Sequence, residues 1–156
     1  MFKIGGIGGF SCEVGFMDTV TLQQALGEYF APWVQALELK VESFAPAMPS
    51  LGGSVVLRLP HSEQLSRVGG MTCGQAMMAA ADTAMVLALM AHLGAFRPMT
   101  TVQLQTSFLK PLANQDGLVK ATVLRAGKTL AFGEIDIQSA LDGKSVARAT
   151  TTYAFV

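Results

Sequence analysis

The sequence predicts an α+β domain in which an antiparallel sheet curves around one long central helix. Three observations predict it. Residues 68–96 carry one formally charged side chain, Asp82, among Ala, Met, Val and Leu, the composition of a helix covered on most sides. The segments before and after that stretch alternate apolar and polar residues like half-buried strands. The chain has 156 residues, 51% hydrophobic and 14% charged, which suits one domain with a sizeable core and some apolar surface hidden in an oligomer.

The elements follow in order. Residues 1–18 are Gly-rich and read as irregular or a short edge element. Across 19–37, Leu22, Leu26, Phe30, Trp33 and Leu37 recur at helical spacing. Thr21 is the expected N-cap, and Pro32 breaks or kinks the helix. In 37–44, Leu37, Leu39, Val41 and Ser43 face one way and Glu38, Lys40 and Glu42 the other, a half-buried strand. Two prolines and two glycines in APAMPSLGG make a loop. Residues 54–59 form a second strand, ended by Pro60, and 61–69 a polar loop. The central helix spans about 73–93 and stops at Gly94 and Pro98. Strands are expected at 101–109, 118–124, 130–139 and 145–156, with a hairpin signal at Leu141-Asp142-Gly143-Lys144. Residues 1–36 are thus an N-terminal segment with a flanking helix, and 37–156 the main body of a single domain.

Composition excludes several functions. Net charge is zero, and there is no basic stripe for nucleic acid. Cys12 and Cys73 are far apart without CxxC spacing, so a reducing, cytoplasmic setting is expected rather than a disulfide scaffold. The N-terminus lacks the continuous apolar core of a signal peptide. Neither His61 nor His92 has metal-ligand spacing, so no metal is expected; they read as a loop residue and a helix-end residue. Residues 76–93 are nearly long enough for a bilayer span, but Asp82 sits inside and soluble-type strands follow, so no membrane is expected. Asp82 then needs a reason, because burying a carboxylate without partners is costly. It is either a structural acid held by hydrogen bonds or a reactive one.

The motifs favour the reactive reading over the structural one. Gly70-Met71-Thr72-Cys73-Gly74-Gln75 precedes the helix, Ala81-Asp82-Thr83-Ala84 lies on it, TVQLQTSFLKP follows, and SVARATTTYAF ends the chain. This set resembles the hotdog-fold acyl-CoA thioesterases of the PaaI-like (phenylacetyl-CoA) type over roughly 37–156. The family has a Gly, two residues, His-Gly-Gly, and then a helix with Asp in an "ADTA" context. Asp82 follows Gly74 by eight residues, the family's spacing between its oxyanion-hole glycine and its acid. Cys73 replaces the usual His, Gln75 the second Gly, and Arg67 a common Asn or Gln.

The resemblance implies thioester hydrolysis to a free acid and coenzyme A, with coenzyme A part of the substrate and no separate cofactor. Gly74 would stabilise the oxyanion through a backbone N–H at the helix start. Asp82 would activate water or attack the carbonyl directly. Arg67, Cys73, Gln75, Val86, Lys110, Arg125 and Lys128 are candidate substrate contacts, the cations as partners for coenzyme A phosphates. Eight residues of helix is about 12 Å, so Gly74 and Asp82 of one chain cannot both touch one thioester carbon. A homodimer with shared sites is implied, and pairing of two such dimers is compatible with it. The three replacements leave a non-catalytic acyl-CoA- or lipid-binding protein of the same fold as the alternative. A dehydratase would need a His paired with the acid, and none lies near Asp82 in sequence.

Overall fold

The structure, a computed structural model, describes residues 17–156. The reading of the Gly-rich stretch falls mainly on 1–16, outside the described residues. The elements are α1 (Thr19–Glu28), α2 (Pro32–Gln35), β1 (Lys40–Ala45), β2 (Ser54–Leu59), β3 (Ser66–Arg67), β4 (Met71–Thr72), α3 (Gly74–Leu93), β5 (Met99–Phe108), β6 (Gly117–Ala126), β7 (Leu130–Ser139) and β8 (Ser145–Phe155). A six-stranded sheet in the order β1-β2-β6-β7-β8-β5 is antiparallel throughout, and β3-β4 is a separate hairpin. The sheet packs on α3, the α+β architecture that the hotdog resemblance implies.

Three local expectations are corrected. The N-cap of α1 is Asp18, whose Oδ1 accepts the Thr21 N–H at 2.7 Å. Thr21 is already inside the helix, where its own side chain has no free first-turn N–H to cap. The break expected at Pro32 is present, and Pro32, with no N–H to continue α1, starts a new turn. The first strand begins at Lys40, since Glu38 has φ 54 and leaves the extended region. A register shift between Val41 and Ser43 reverses the alternation, so Phe44 rather than Ser43 is half-buried against the core.

The core lies between α3 and the inner sheet face. Val55, Leu57, Val119, Ala121, Ile135 and Ile137 are buried at alternate strand positions, as the period-2 pattern requires. Small residues bring helix and sheet close: a Cβ on Gly133 would lie 2.0 Å from the Met85 methyl, and one on Gly53 would lie 2.5 Å from the His92 backbone nitrogen. The Gly53 N–H donates to His92 Nδ1 at 3.0 Å, which ties the end of α3 to the start of β2. Gly94 closes α3 in the left-handed region, its N–H on the Met90 carbonyl.

α3 has the length and mean hydropathy (1.6) of a membrane span, but 67% of that window is buried inside the protein. Between its ends, where Gly74, His92 and Leu93 are also not buried, its incompletely covered positions are Gln75, Met78, Ala79, Asp82 and Val86. These recur at helical spacing and form one stripe.

One exposed-side cluster ties β2, β6 and the 60–70 loop together. Asp116 accepts the His61 N–H at 2.8 Å and pairs with Arg58 at 3.1 Å. The His61 N–H first, then Arg58, hold its carboxyl below the usual aspartate range, against the opposing effect of burial. A depressed carboxyl stabilises the fold above its unfolded pKa, about 4, and that contribution is lost as pH falls through the folded value. Asp116→Ala is expected to cost about 1–2 kcal/mol at neutral pH. Urea unfolding at pH 7 and pH 2.5 checks this: the difference between wild type and variant should shrink in acid.

Candidate functional site

Asp82 sits two turns into α3 and is half-buried, not enclosed by Ala and Met as its helical neighbours suggest. Its partners come from the sheet. Thr101 of β5 donates from Oγ1 to Asp82 Oδ1 at 2.9 Å. The hydroxyl of Tyr153 on β8 is shared between the same Oδ1, in a short hydrogen bond, and the Asp82 main-chain carbonyl at 2.9 Å. Tyr153 is 1% exposed. Burial first, and the Asp82 charge second, drive its phenol far above the ordinary tyrosine range, so it stays protonated. Among the described residues no hydrogen bond reaches Asp82 Oδ2. Neither Thr101 nor Tyr153 stood out in the sequence. The available signal was a tyrosine at an inward position of a final strand rich in Ala and Thr, because a buried phenol needs a partner.

Gly74 is the first residue of α3. The preceding Cys73, extended at φ −70 and ψ 150, caps the helix without a side-chain hydrogen bond. The first-turn N–H groups therefore point outward with the positive end of the helix dipole. A cavity of about 340 Å³ opens beside them, lined among others by Arg67, Met71, Gly74, Met77, Phe108 and Lys110. The missing side chain matters, since a Cβ on Gly74 would lie 3.0 Å from the Phe108 ring. Arg67 and Lys110 are both exposed at this cavity. The Arg67 guanidinium reaches only the Met71 sulfur, at 3.4 Å, among the described hydrogen bonds.

The other candidates divide by position. Cys73 is half-buried against the core, its N–H on the Leu65 carbonyl at 2.8 Å. Gln75 is exposed, and Val86 half-buried one turn beyond Asp82, both on the incompletely covered stripe of α3. Arg125 and Lys128 are exposed at the β6–β7 turn. The Lys128 carbonyl accepts from Arg97, which follows the C-terminal end of α3. In one chain, therefore, these two cations lie at the opposite end of α3 from the Gly74 cavity. Among the described residues no cluster of His, Cys, Asp or Glu is arranged to hold a metal ion.

Strand β5 links the two halves. It is an edge strand, ten residues long, with one side unpaired among the described residues and Val102 and Phe108 exposed. Thr101 near one end of it holds Asp82, and Phe108 at the other end flanks Gly74. Long apolar edges of this kind are normally covered.

Comparison with known proteins gives a consistent picture. A family model described as "Thioesterase superfamily" matches residues 69–145. A candidate esterase of Saccharolobus solfataricus is 33% identical over 101 residues, 65% of this chain and 71% of that protein. A second, from Thermoplasma acidophilum, is 31% identical over 91 residues, 58% of this chain and 66% of the relative. Among solved structures, a candidate thioesterase from Silicibacter sp. TM1040 superposes with a TM-score of 0.74 at 30% identity, covering 94% of this chain and 96% of that one. Zebrafish thioesterase superfamily member 2 gives 0.76 at 25% identity, covering 90% and 99%.

Proposed function

The chain belongs to the thioesterase superfamily, and from that premise we propose that it is an acyl-CoA thioesterase whose active site is completed by a second copy of itself. The observation that carries this reading is that both site halves lie against one edge strand, Thr101 at Asp82 and Phe108 at Gly74, whose other side is unpaired among the described residues. If two β5 strands pair antiparallel about a two-fold axis at Gln105, inward-facing Leu104 of one chain meets Thr106 of its partner. Phe108 then comes opposite Val102 of the partner, beside Thr101. Gly74 of one chain is thereby brought towards Asp82 of the other, which the axial separation of about 12 Å forbids within one helix. The stripe of α3 that bears Asp82 and Val86 faces the same junction. Thr106 Oγ1, buried and without a partner among the described residues, lies at the pairing edge. Arg125 and Lys128 of each chain move towards the partner's Gly74 end, where they are available to coenzyme A phosphates.

The reaction follows from these groups. The thioester carbonyl oxygen points at the Gly74 N–H, which stabilises the negative charge that develops on it. A water held by Asp82 adds to the carbonyl carbon and gives its proton to the carboxylate. The C–S bond then breaks, and the thiolate leaves and recovers that proton, giving a free acid and coenzyme A. In the nucleophilic variant the carboxylate oxygen bonds the carbon first, the thiolate leaves, and water hydrolyses the resulting anhydride. The apolar lining by Met71, Met77 and Phe108 suits an acyl group or the pantetheine arm.

The test is thiol release from a panel of acyl-CoAs from acetyl to palmitoyl, with phenylacetyl-CoA included. Turnover of at least one member well above the uncatalysed rate is expected. Tight binding of panel members without any thiol release would overturn the catalytic reading and leave the acyl-CoA-binding one.

A further inference from the structure

The hydrogen bonds around Asp82 are asymmetric. Oδ1 receives both Thr101 Oγ1 and Tyr153 Oη, from two adjacent strands, while Oδ2 receives nothing among the described residues. We propose that Tyr153 is a positioning residue for Asp82: with Thr101 it occupies Oδ1, fixes the plane of the carboxylate, and leaves Oδ2 as the oxygen that reacts. This rests on the reading of Asp82 as the reactive acid.

Three features support it. Tyr153 is anchored, being 1% exposed and rooted in a central pairing of β8 with Thr101 and Ala131 on either side. A rigid aromatic side chain with two rotatable bonds aims its hydroxyl with little entropy cost. The single hydroxyl proton is shared between Asp82 Oδ1 and the Asp82 main-chain carbonyl, a bifurcated bond that ties the orientation of the carboxylate to the helix backbone. A carboxylate free to rotate would spend much of its time with the reactive lone pair misdirected, and misplacement by an ångström is costly in rate. The phenol remains a donor throughout the working range, because burial and the adjacent carboxylate both oppose its ionisation.

The experiment compares wild type, Tyr153→Phe, Asp82→Asn and the double variant, using the panel acyl-CoA that the wild type turns over fastest. Tyr153→Phe should lower kcat by about 10- to 100-fold, the range of one hydrogen bond to a charged group, while KM holds. In the Asp82→Asn background it should cause no further loss, since it acts through Asp82. An unchanged kcat in folded Tyr153→Phe overturns the proposal, as does an equal loss in both backgrounds. If Asp82→Asn itself keeps wild-type turnover, the underlying catalytic reading fails instead, which separates the two failures. If Tyr153→Phe does not fold, 3-fluorotyrosine incorporated in a Tyr29→Phe background labels position 153 alone, because the chain has two tyrosines. A changed kcat at constant KM then supports the role, and an unchanged kcat overturns it.

Discussion

Asp82→Asn is expected to remove most thioester hydrolysis, on the order of 10²–10⁴-fold in kcat, while the protein keeps its fold. The structure explains why the fold should survive. The amide oxygen can replace Oδ1 and accept from both Thr101 and Tyr153, which are the only side-chain donors to Asp82 among the described residues. The amide nitrogen then replaces Oδ2, where no internal partner is lost. What disappears is the charge and the basic lone pair. Asp82→Ala is a poorer test, because it removes the shared acceptor of Thr101 and Tyr153 and leaves the buried Tyr153 hydroxyl only the main-chain carbonyl of residue 82. Steady-state kinetics with circular dichroism and a thermal melt decide the matter. A structural acid would give the opposite pattern, with an altered melt and turnover close to wild type.

The parts of the fold legible in the sequence were those governed by periodicity. The central helix was visible as a run nearly free of charge, and β7 was visible as an alternation, because burial on one face writes itself into every second residue. The edges of elements were less legible. A bulge in β1 moved Phe44 inward, and the cap of α1 was an aspartate one residue before the helix. The site was half legible. Asp82 stood out as a carboxylate among Ala and Met, whereas Gly74, an ordinary residue at a helix start, stood out only through the motif around it and its eight-residue spacing to Asp82. Thr101 and Tyr153 did not, since they reach Asp82 through strand pairing, 19 and 71 residues away in sequence. Helical periodicity describes a residue's neighbours on its own helix and is silent about the strands that cross it. The same limit applies to Arg125 and Lys128: their types suited a phosphate, but only the sheet topology places them at the far end of α3 from Gly74.

Mixing two inactive variants should restore about a quarter of wild-type turnover, since half of randomly assorted dimers are mixed and each mixed dimer has one intact site. The two variants are Asp82→Asn and Gly74→Pro. Gly74→Pro removes the N–H proposed to hold the oxyanion, and such a loss lowers kcat by about 10²–10³-fold. Its backbone cost is small. Gly74 is the first residue of α3, where proline is well tolerated. Cys73 before it is already extended at ψ 150, the conformation a following proline demands. The ring must displace Phe108 by a few tenths of an ångström, because a Cβ there lies 3.0 Å from it. In a mixed dimer, one site takes Gly74 from the Asp82→Asn chain and Asp82 from the Gly74→Pro chain, both intact. The other site takes both damaged halves. Co-refolding an equimolar mixture with differently tagged chains allows the mixed dimer to be isolated and assayed directly. If Gly74 and Asp82 instead served one site within a single chain, every site would carry one defect and mixing would restore nothing. That outcome, with mixed dimers confirmed by their tags, would overturn the shared site and the β5 pairing from which it was inferred.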